Sequence, residues 1–528
     1  MKNRNLPYQD FKLVALPNKI IKVLADGNFS QLNTVDMEQL FHALMFLLAY
    51  PQSEKQESFT LKKLNTLTNA IKNKTTAFKN KLQNSGLPFT NMSVQFTHDC
   101  IIWLQQQPDI KVAFQNFVND EVDLSGLLSL TLNVAERAET SAGLNAGDLL
   151  VSLDVKQPLI LDFLLNEFQK LSQPLVKDYL FDKAGLQCTI KPKSKFFSLA
   201  YNRFIRSKTF YHEEILKKFD YKSVLDSEIN DAVSLSEADE LALIKTIKFA
   251  MALTNRETDT VTYMDETTLQ YFELERGISV AIYGMTSQRQ LPFESYIGYT
   301  LFKNGFPYAY GGGWVFGQRA MFGINIFEWF RGGESGFVLC QLLRVYKQVF
   351  GVERFEVEPY QYGLDNPDGI ASGAFWFYYR FGFRPVDTTL RKLAASEFEK
   401  IRKNKTYRSS SKTLLRFTES IIELSLHCSQ KVTIEKVTGN ISKMIRSRFK
   451  GNRLLAEQTC LKSFVDKLKK EKITYNNQTN FTEVALWSMA FDLKQKQELQ
   501  MLADMAFIKP IDPYRYQALL LKLLRNLT

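Results

Sequence analysis

Residues that hold metals or form disulfides are scarce in this chain. It has four histidines and five cysteines in 528 residues. Cys100, Cys188, Cys340, Cys428 and Cys460 are scattered, odd in number and form no CxxC pair. This excludes a disulfide scaffold and a zinc ribbon and implies reduced thiols. His98 and Cys100 in "THDC", and the adjacent His427 and Cys428, have no matching second half-site, so no metal is expected. Long apolar runs are also missing. The longest, "LFHALMFLLAY" at 40–50, falls well short of the ~20 residues that a membrane span needs and reads as a buried helix. The N-terminal "MKNRNLPYQDFKLVALPNK" is basic but has no apolar stretch behind it, which argues against a secretory signal. The expectation is a cytoplasmic protein with no membrane span.

Aromatic and apolar side chains, by contrast, are plentiful. Hydrophobic residues make up 45% and charged residues 23%, the balance of an ordinary folded protein. At 528 residues the chain is too long for one core, which implies two to four domains. Positive charge is concentrated at one end. Residues 388–528 hold 27 Lys and Arg against 13 Asp and Glu, a net +14, while residues 1–387 net −3. Such a region suits nucleic acid, an anionic surface or an acidic partner, or is simply a solvated helical face.

Apolar spacing divides the chain into four stretches. Residues 1–190 read as a helical N-terminal region, with "VDMEQLFHALMFLLAY" and "QPLILDFLLNEFQKLSQPLVKDYLF" periodic at helical spacing. Residues 191–262 read as a helical connecting region, in which Ser234 and Glu237 stand at capping-box spacing. Residues 263–389 change texture. "GISVAIYGM" and "ESYIGYTLF" are strand-like, Lys303–Gly305 closes a hairpin, and "FPYAYGGGWVF" returns as its partner. "AMFGINIFEWF" reads as a further strand and "RGGESGFVLCQLLRVYKQVFG" as a glycine turn opening into a helix. "VERFEVEP", "GIASGAFWFYYRF" and "FRPVD" then read as strand, helix and strand. Residues 390–528 read as a basic helical C-terminal region that includes "LLRFTESIIELSLH", "CLKSFVDKLKK" and "YRYQALLLKLLRNL". The fold class implied is α/β (α+β), a mixed central sheet flanked by helical regions.

Two motifs in 263–389 carry chemistry. At "RGGESG", Gly332 and Gly333 let the backbone bend close to a ligand. The amides that follow point from a helix N-terminus carrying partial positive charge, an anion site to which Arg331 adds a guanidinium. Glu334 is a carboxylate in that same turn. It either repels an anion or caps its own helix and fills the site. In "AFWFYYRFGF", Phe375, Tyr378 and Tyr379 share one side of a helix that Gly382 ends.

In element order and in these two motifs, residues 263–387 resemble the GCN5-related N-acetyltransferase (GNAT) superfamily. Ala374, Phe377, Tyr378, Gly382 and Phe383 fall in register with that family's second motif, and Arg331 and Gly336 with its pyrophosphate turn. Glu334 stands where glycine is usual, and Ala371 where asparagine is frequent. The resemblance implies an acyltransferase that carries acetyl-CoA, or another acyl-CoA, in a cleft that opens after Phe330. Phe327, Trp329, Phe330, Arg331, Gly332, Gly333, Ser335 and Gly336 would line the coenzyme, with backbone amides near Phe327 to Trp329 polarising the thioester. Tyr378 would protonate the departing thiolate, and Glu328 is the candidate general base for an amine acceptor, with Glu356 and Glu358 as alternatives. The "YAYGGGWVF" strand either shapes the acceptor groove or marks tight packing. The other reading is a degenerate core used as a scaffold, whose basic C-terminal region docks an anionic partner.

Overall fold

The structure is a computed structural model describing residues 16–119, 122–468 and 478–527. Most of the N-terminal stretch read for a secretory signal, and the last two residues of "CLKSFVDKLKK", lie outside the described residues. The fold is α+β with two sheets.

The N-terminal region is not only helical. Its helices include Thr34–Ala49, capped by Asn33, and Glu54–Lys72, capped by Ser53. The region also holds a three-stranded antiparallel sheet of β1 (Met92–Val94), β2 (Ile110–Phe117) and β3 (Leu186–Pro192), in the order β1-β3-β2, on which the helices His98–Gln105 and Ile160–Gln169 pack. The cause is an alternation of apolar and polar residues in "IKVAF" and "LQCTI", a period-two pattern within a helical background. The connecting region is less helical than expected. Residues 193–220 form no regular element, and the helix Glu237–Leu253 is capped by Ser236, not Ser234.

The main sheet has eight strands: β4 (Gln270–Glu273), β5 (Ile278–Tyr283), β6 (Ser295–Lys303), β7 (Phe306–Phe316), β8 (Arg319–Ile326), β9 (Arg354–Val357), β10 (Arg384–Pro385) and β11 (Ile422–Ser425). Their order is β10-β11-β9-β8-β7-β6-β5-β4, and every neighbouring pair is antiparallel except β8–β9. Asn304 and Gly305 turn the β6–β7 hairpin at φ 45° and 79°. Of "LLRFTESIIELSLH", read as helix, residues 414–417 do lie in the helix Ser411–Phe417, but Ile422–Ser425 form β11 instead. Ile422 and Leu424 are buried while Glu423 is partly exposed, and this short alternation slots between β9 and β10. The sheet therefore extends beyond residue 389.

The parallel pairing of β8 with β9 is short. It joins Arg319–Met321 to Arg354–Glu356, and beyond Met321 the strands part, earlier than the expected opening after Phe330. The helix Ser335–Phe350 follows β8 across the glycine turn. The aromatic run forms the helix Ala374–Arg380, which is separated from the helix Pro367–Ser372 by Gly373 at φ 66°. One hydrophobic core links the N-terminal region to this sheet. A second is built by helices from Val432 onward and takes in Phe293 and Phe316 from the sheet side.

Candidate active site

A cavity of about 530 Å³ occupies the gap where β8 and β9 part. Four residues singled out from sequence line it: Arg331, Gly332, Ser335 and Tyr378. Ile324, Asn325 and Ile326 of β8 form one wall, and Ala374 and Phe377 of the aromatic helix stand beside Tyr378. The turn and the aromatic run, over 40 residues apart in sequence, meet in one cleft.

Hydrogen-bond parity along β8 sets what the cleft offers. Phe327 donates to the Tyr308 carbonyl at 3.1 Å, so Tyr308 and Phe327 are a bonded pair of the β7–β8 ladder. Bonded and non-bonded pairs alternate in an antiparallel ladder. With Ala309 opposite Ile326 and Gly311 opposite Ile324, the Ile324 and Ile326 amides turn away from β7 into the gap. The Ile324 amide donates to the Tyr378 hydroxyl oxygen. Burial drives the Tyr378 phenol well above its ordinary range, so it keeps its proton and has that proton to give. The expected donors at Phe327 to Trp329 are displaced. β8 ends at Ile326, Glu328–Phe330 is a 3-10 turn, and the Phe327 amide is already used. Ile326 is the amide that faces the cleft.

The aromatic members of the expected coenzyme set serve packing. Phe327 stacks on Trp329 at 5.1 Å, Trp329 on His42 at 5.3 Å, and the buried Phe330 on Tyr308 at 5.2 Å. Glu328 is exposed and lies among neither the cleft's lining residues nor those of the second cavity described below, because the 3-10 turn carries it off the strand. Glu356 is buried and paired with Arg319 at 2.8 Å. Gly333 and Gly336 also face inward. A side chain on Gly333 would strike the Tyr50 ring, and one on Gly336 the Phe381 ring. Gly332 differs. At φ 88° it has open space beside its Cα and lines the cleft.

Glu334 neither caps its helix nor fills the anion site. Its carboxylate is fully buried and turned away from the helix start. It pairs with Lys303 at 2.7 Å and Arg276 at 2.5 Å and accepts from the Leu216 amide at 2.9 Å. Burial works to raise this carboxyl, but the bonds from Arg276 and Lys303 outweigh it and hold it below its ordinary value. Its own amide donates to the Tyr50 hydroxyl at 3.0 Å, which anchors the turn to the N-terminal region. The Ser335, Gly336 and Phe337 amides, in the first turn, have no intrahelical carbonyl to bond.

Two contributors were not read from sequence. Arg256 lies before the sheet, lines the cleft, and donates to the Tyr310 hydroxyl at 2.6 Å. Gln361 follows β9 and lies directly over Gly323. Neither sits in a recognisable pattern. On the sheet's other side a second cavity of about 140 Å³ is lined by Tyr296, Tyr310, Trp314, Asn325, Glu358 and Gln361, among others. This explains part of "YAYGGGWVF". The Tyr296 ring occupies the space beside Gly312, and the Tyr299 hydroxyl that beside Gly311.

His98 is committed elsewhere, to Asp99 and to the Leu165 carbonyl. Among the described residues no helix is long and apolar enough to cross a membrane. Comparison with protein-family models, curated proteins and solved structures finds no significant match.

Proposed function

We propose that this chain is an acyl-CoA-dependent N-acyltransferase that moves an acetyl or longer acyl group from coenzyme A to an amine by direct attack. One observation carries the reading. The start of the 335–350 helix, with Arg331 and Gly332, opens into the same cleft as a protonated Tyr378 and the inward-facing Ile326 amide. A helix start with a guanidinium suits a pyrophosphate. An amide and a hydroxyl a short way along suit a thioester.

In this reading Arg331, Gly332 and Ser335 hold the phosphates. The amine nitrogen attacks the thioester carbon, and the Ile326 amide stabilises the oxygen as it gains charge. As the C–N bond forms and the C–S bond breaks, the Tyr378 hydroxyl gives its proton to the leaving sulfur. The amine gives up a proton towards Glu358, which takes the role first considered for Glu328. Through solvent that proton restores Tyr378. One amide and one free thiol result, with no net change in protons. The scaffold alternative drew on Glu334 and on Ala371 in place of asparagine; of the two, the Glu334 carboxylate is paired with Arg276 and Lys303 and turned away.

Thermal unfolding with coenzyme A tests the reading. At 100 times its Kd a ligand stabilises by about 2.7 kcal/mol, an easily read rise in Tm. No shift at millimolar coenzyme A removes the proposal.

A further inference from the structure

A third cavity, of about 360 Å³, shares no lining residue with the other two. It lies where the irregular segment 204–210 crosses two turns at one end of the main sheet, the β4–β5 turn and the β6–β7 turn at Asn304 and Gly305. The segment is fastened at both ends. The Phe204 amide donates to the Gly305 carbonyl at 2.9 Å, and the Phe210 amide donates to the Asn304 side-chain oxygen at 2.9 Å. Glycine in each turn admits this approach. A side chain on Gly305 would come within 2.6 Å of the Phe204 carbonyl oxygen, and one on Gly277 within 3.0 Å of the Phe210 side chain. Residues 205–209, "IRSKT", bridge the two anchors and form one wall of the cavity.

The lining is basic. Arg206, Lys208 and Arg276 stand against Glu273, a net +2. Each cation has capacity left. Arg276 holds Glu334 and the Glu214 carbonyl through Nε and Nη2, which leaves Nη1 uncommitted. Arg206 spends Nη1 on Asp239 at 3.0 Å, and its Nε stands 3.8 Å from Glu273. Lys208 is exposed and makes no ion pair among the described residues. Guanidinium groups suit phosphate oxygens, and a phosphomonoester carries close to two negative charges at neutral pH, which matches the net charge of the wall. The cavity also offers apolar surface. Phe204 and Tyr271 meet edge to face at 5.3 Å and are buried, while Ile205 is 60% exposed. Its volume is that of a small-ligand site and leaves room for more than a bare phosphate.

We infer that this cavity binds a small organic phosphomonoester. The phosphate lies among Arg206, Lys208 and Arg276, and the organic part lies against Ile205, Phe204 and Tyr271. The inference is independent of the transferase reading, which concerns a different cleft.

Calorimetry with phenyl phosphate on the full chain, near neutral pH, tests it. Phenyl phosphate is expected to bind. Benzoate, with the same ring and a single charge, should bind at least about tenfold more weakly, as should inorganic phosphate, which has no ring. Arg206→Gln and Lys208→Gln should each weaken phenyl phosphate by about tenfold. Lys208 is exposed, so its variant keeps the test decisive if Arg206→Gln disturbs the wall. Arg331→Gln alters the cleft alone and should leave phenyl phosphate bound as in wild type. Absence of binding, equal binding of benzoate or inorganic phosphate, loss of binding in Arg331→Gln, or Arg206→Gln and Lys208→Gln proteins that bind like wild type would overturn the inference.

Discussion

Tyr378 has a buried ring packed edge-on against Phe377 and Phe383 and a hydroxyl in the cleft. Tyr378→Phe keeps the packing and removes the proton. We expect the acylation rate to fall by roughly 10²–10⁴-fold while coenzyme A affinity holds. Losing the acceptor for the Ile324 amide should lower stability by only about 1 kcal/mol. Tyr379→Phe is the control, since that ring packs on Phe398 and Arg384 away from the cleft. Equal losses of turnover in the two variants would deny Tyr378 its role. The buried group behind the turn titrates in acid. His212 is fully buried, neither ring nitrogen has a hydrogen-bond partner, and burial, aided by the Lys303 charge, lowers it to about 3 from 6.5. A histidine depressed in the folded state stabilises fully above pH 6.5 and loses that contribution as pH falls towards 3. Glu334, held below 4.5, acts in the same direction at lower pH. Urea unfolding of His212→Phe should show a flatter pH dependence in the 3–6.5 window than wild type. Glu334→Gln should cost about 3–5 kcal/mol at neutral pH, because Lys303 is left buried without its anion. A His212→Phe curve parallel to wild type would refute the acid account.

The turn between β8 and the 335–350 helix sorts its glycines by what lies beside them. Gly332 faces the cleft and Gly333 faces Tyr50. Gly332→Asp should therefore weaken coenzyme A by like-charge repulsion and left-handed strain. Gly333→Ala should instead lower Tm through its clash with Tyr50. Calorimetry and thermal unfolding on both variants check this, and the opposite assignment would mean the phosphates approach at Gly333. This part of the molecule was legible in sequence because hairpin turns, β-branched runs and a glycine turn before an amphipathic run are local signals. The amides facing the cleft were not legible. Whether Ile326 or Phe327 points outward depends on which β7–β8 pairs are hydrogen-bonded, a parity that composition does not carry. β11 was hidden for another reason. Its four residues lie beyond a long helix, and "IIELS" becomes a strand only because β9 and β10 leave a slot between them. The partners of Glu334 come from residues 216, 276 and 303, so its harmlessness could be seen only in three dimensions.

At the scale of the whole molecule, the basic C-terminal region is tied into the sheet. Its helices bury an apolar side around Trp487, which packs on Phe293 and Phe316, and leave Lys443, Arg446 and Arg448 exposed. Gln517 donates to the carbonyls of Gly317 and Phe350 at 2.6 and 2.7 Å, joining the last helix to the β7–β8 turn and to the end of the 335–350 helix. Lys509 ties the same region to the sheet in another way. It is buried, has no carboxylate partner in contact, and donates to the Glu294 carbonyl at 2.8 Å and the Ser295 hydroxyl at 2.7 Å, at the start of β6. Burial lowers it to about 7 from 10.5, only partly offset by the Glu294 charge. Below pH 7 it is charged in both states, and the folded protein bears the cost of burying that charge. Between 7 and 10.5 the unfolded chain holds the proton and the folded protein does not, so stability from this group rises with pH across that window. The full swing is about 5 kcal/mol at most. Lys303, also lowered by burial, titrates in the same direction, so the comparison must be between two proteins at each pH. Lys509→Met keeps the length and apolar contacts of the side chain and removes the proton. Stability relative to wild type, from urea unfolding at pH 6 to 10, should be most favourable to Lys509→Met at the acid end and decline steadily as pH rises. A difference that does not change with pH would mean that Lys509 stays charged where the C-terminal helices meet the sheet.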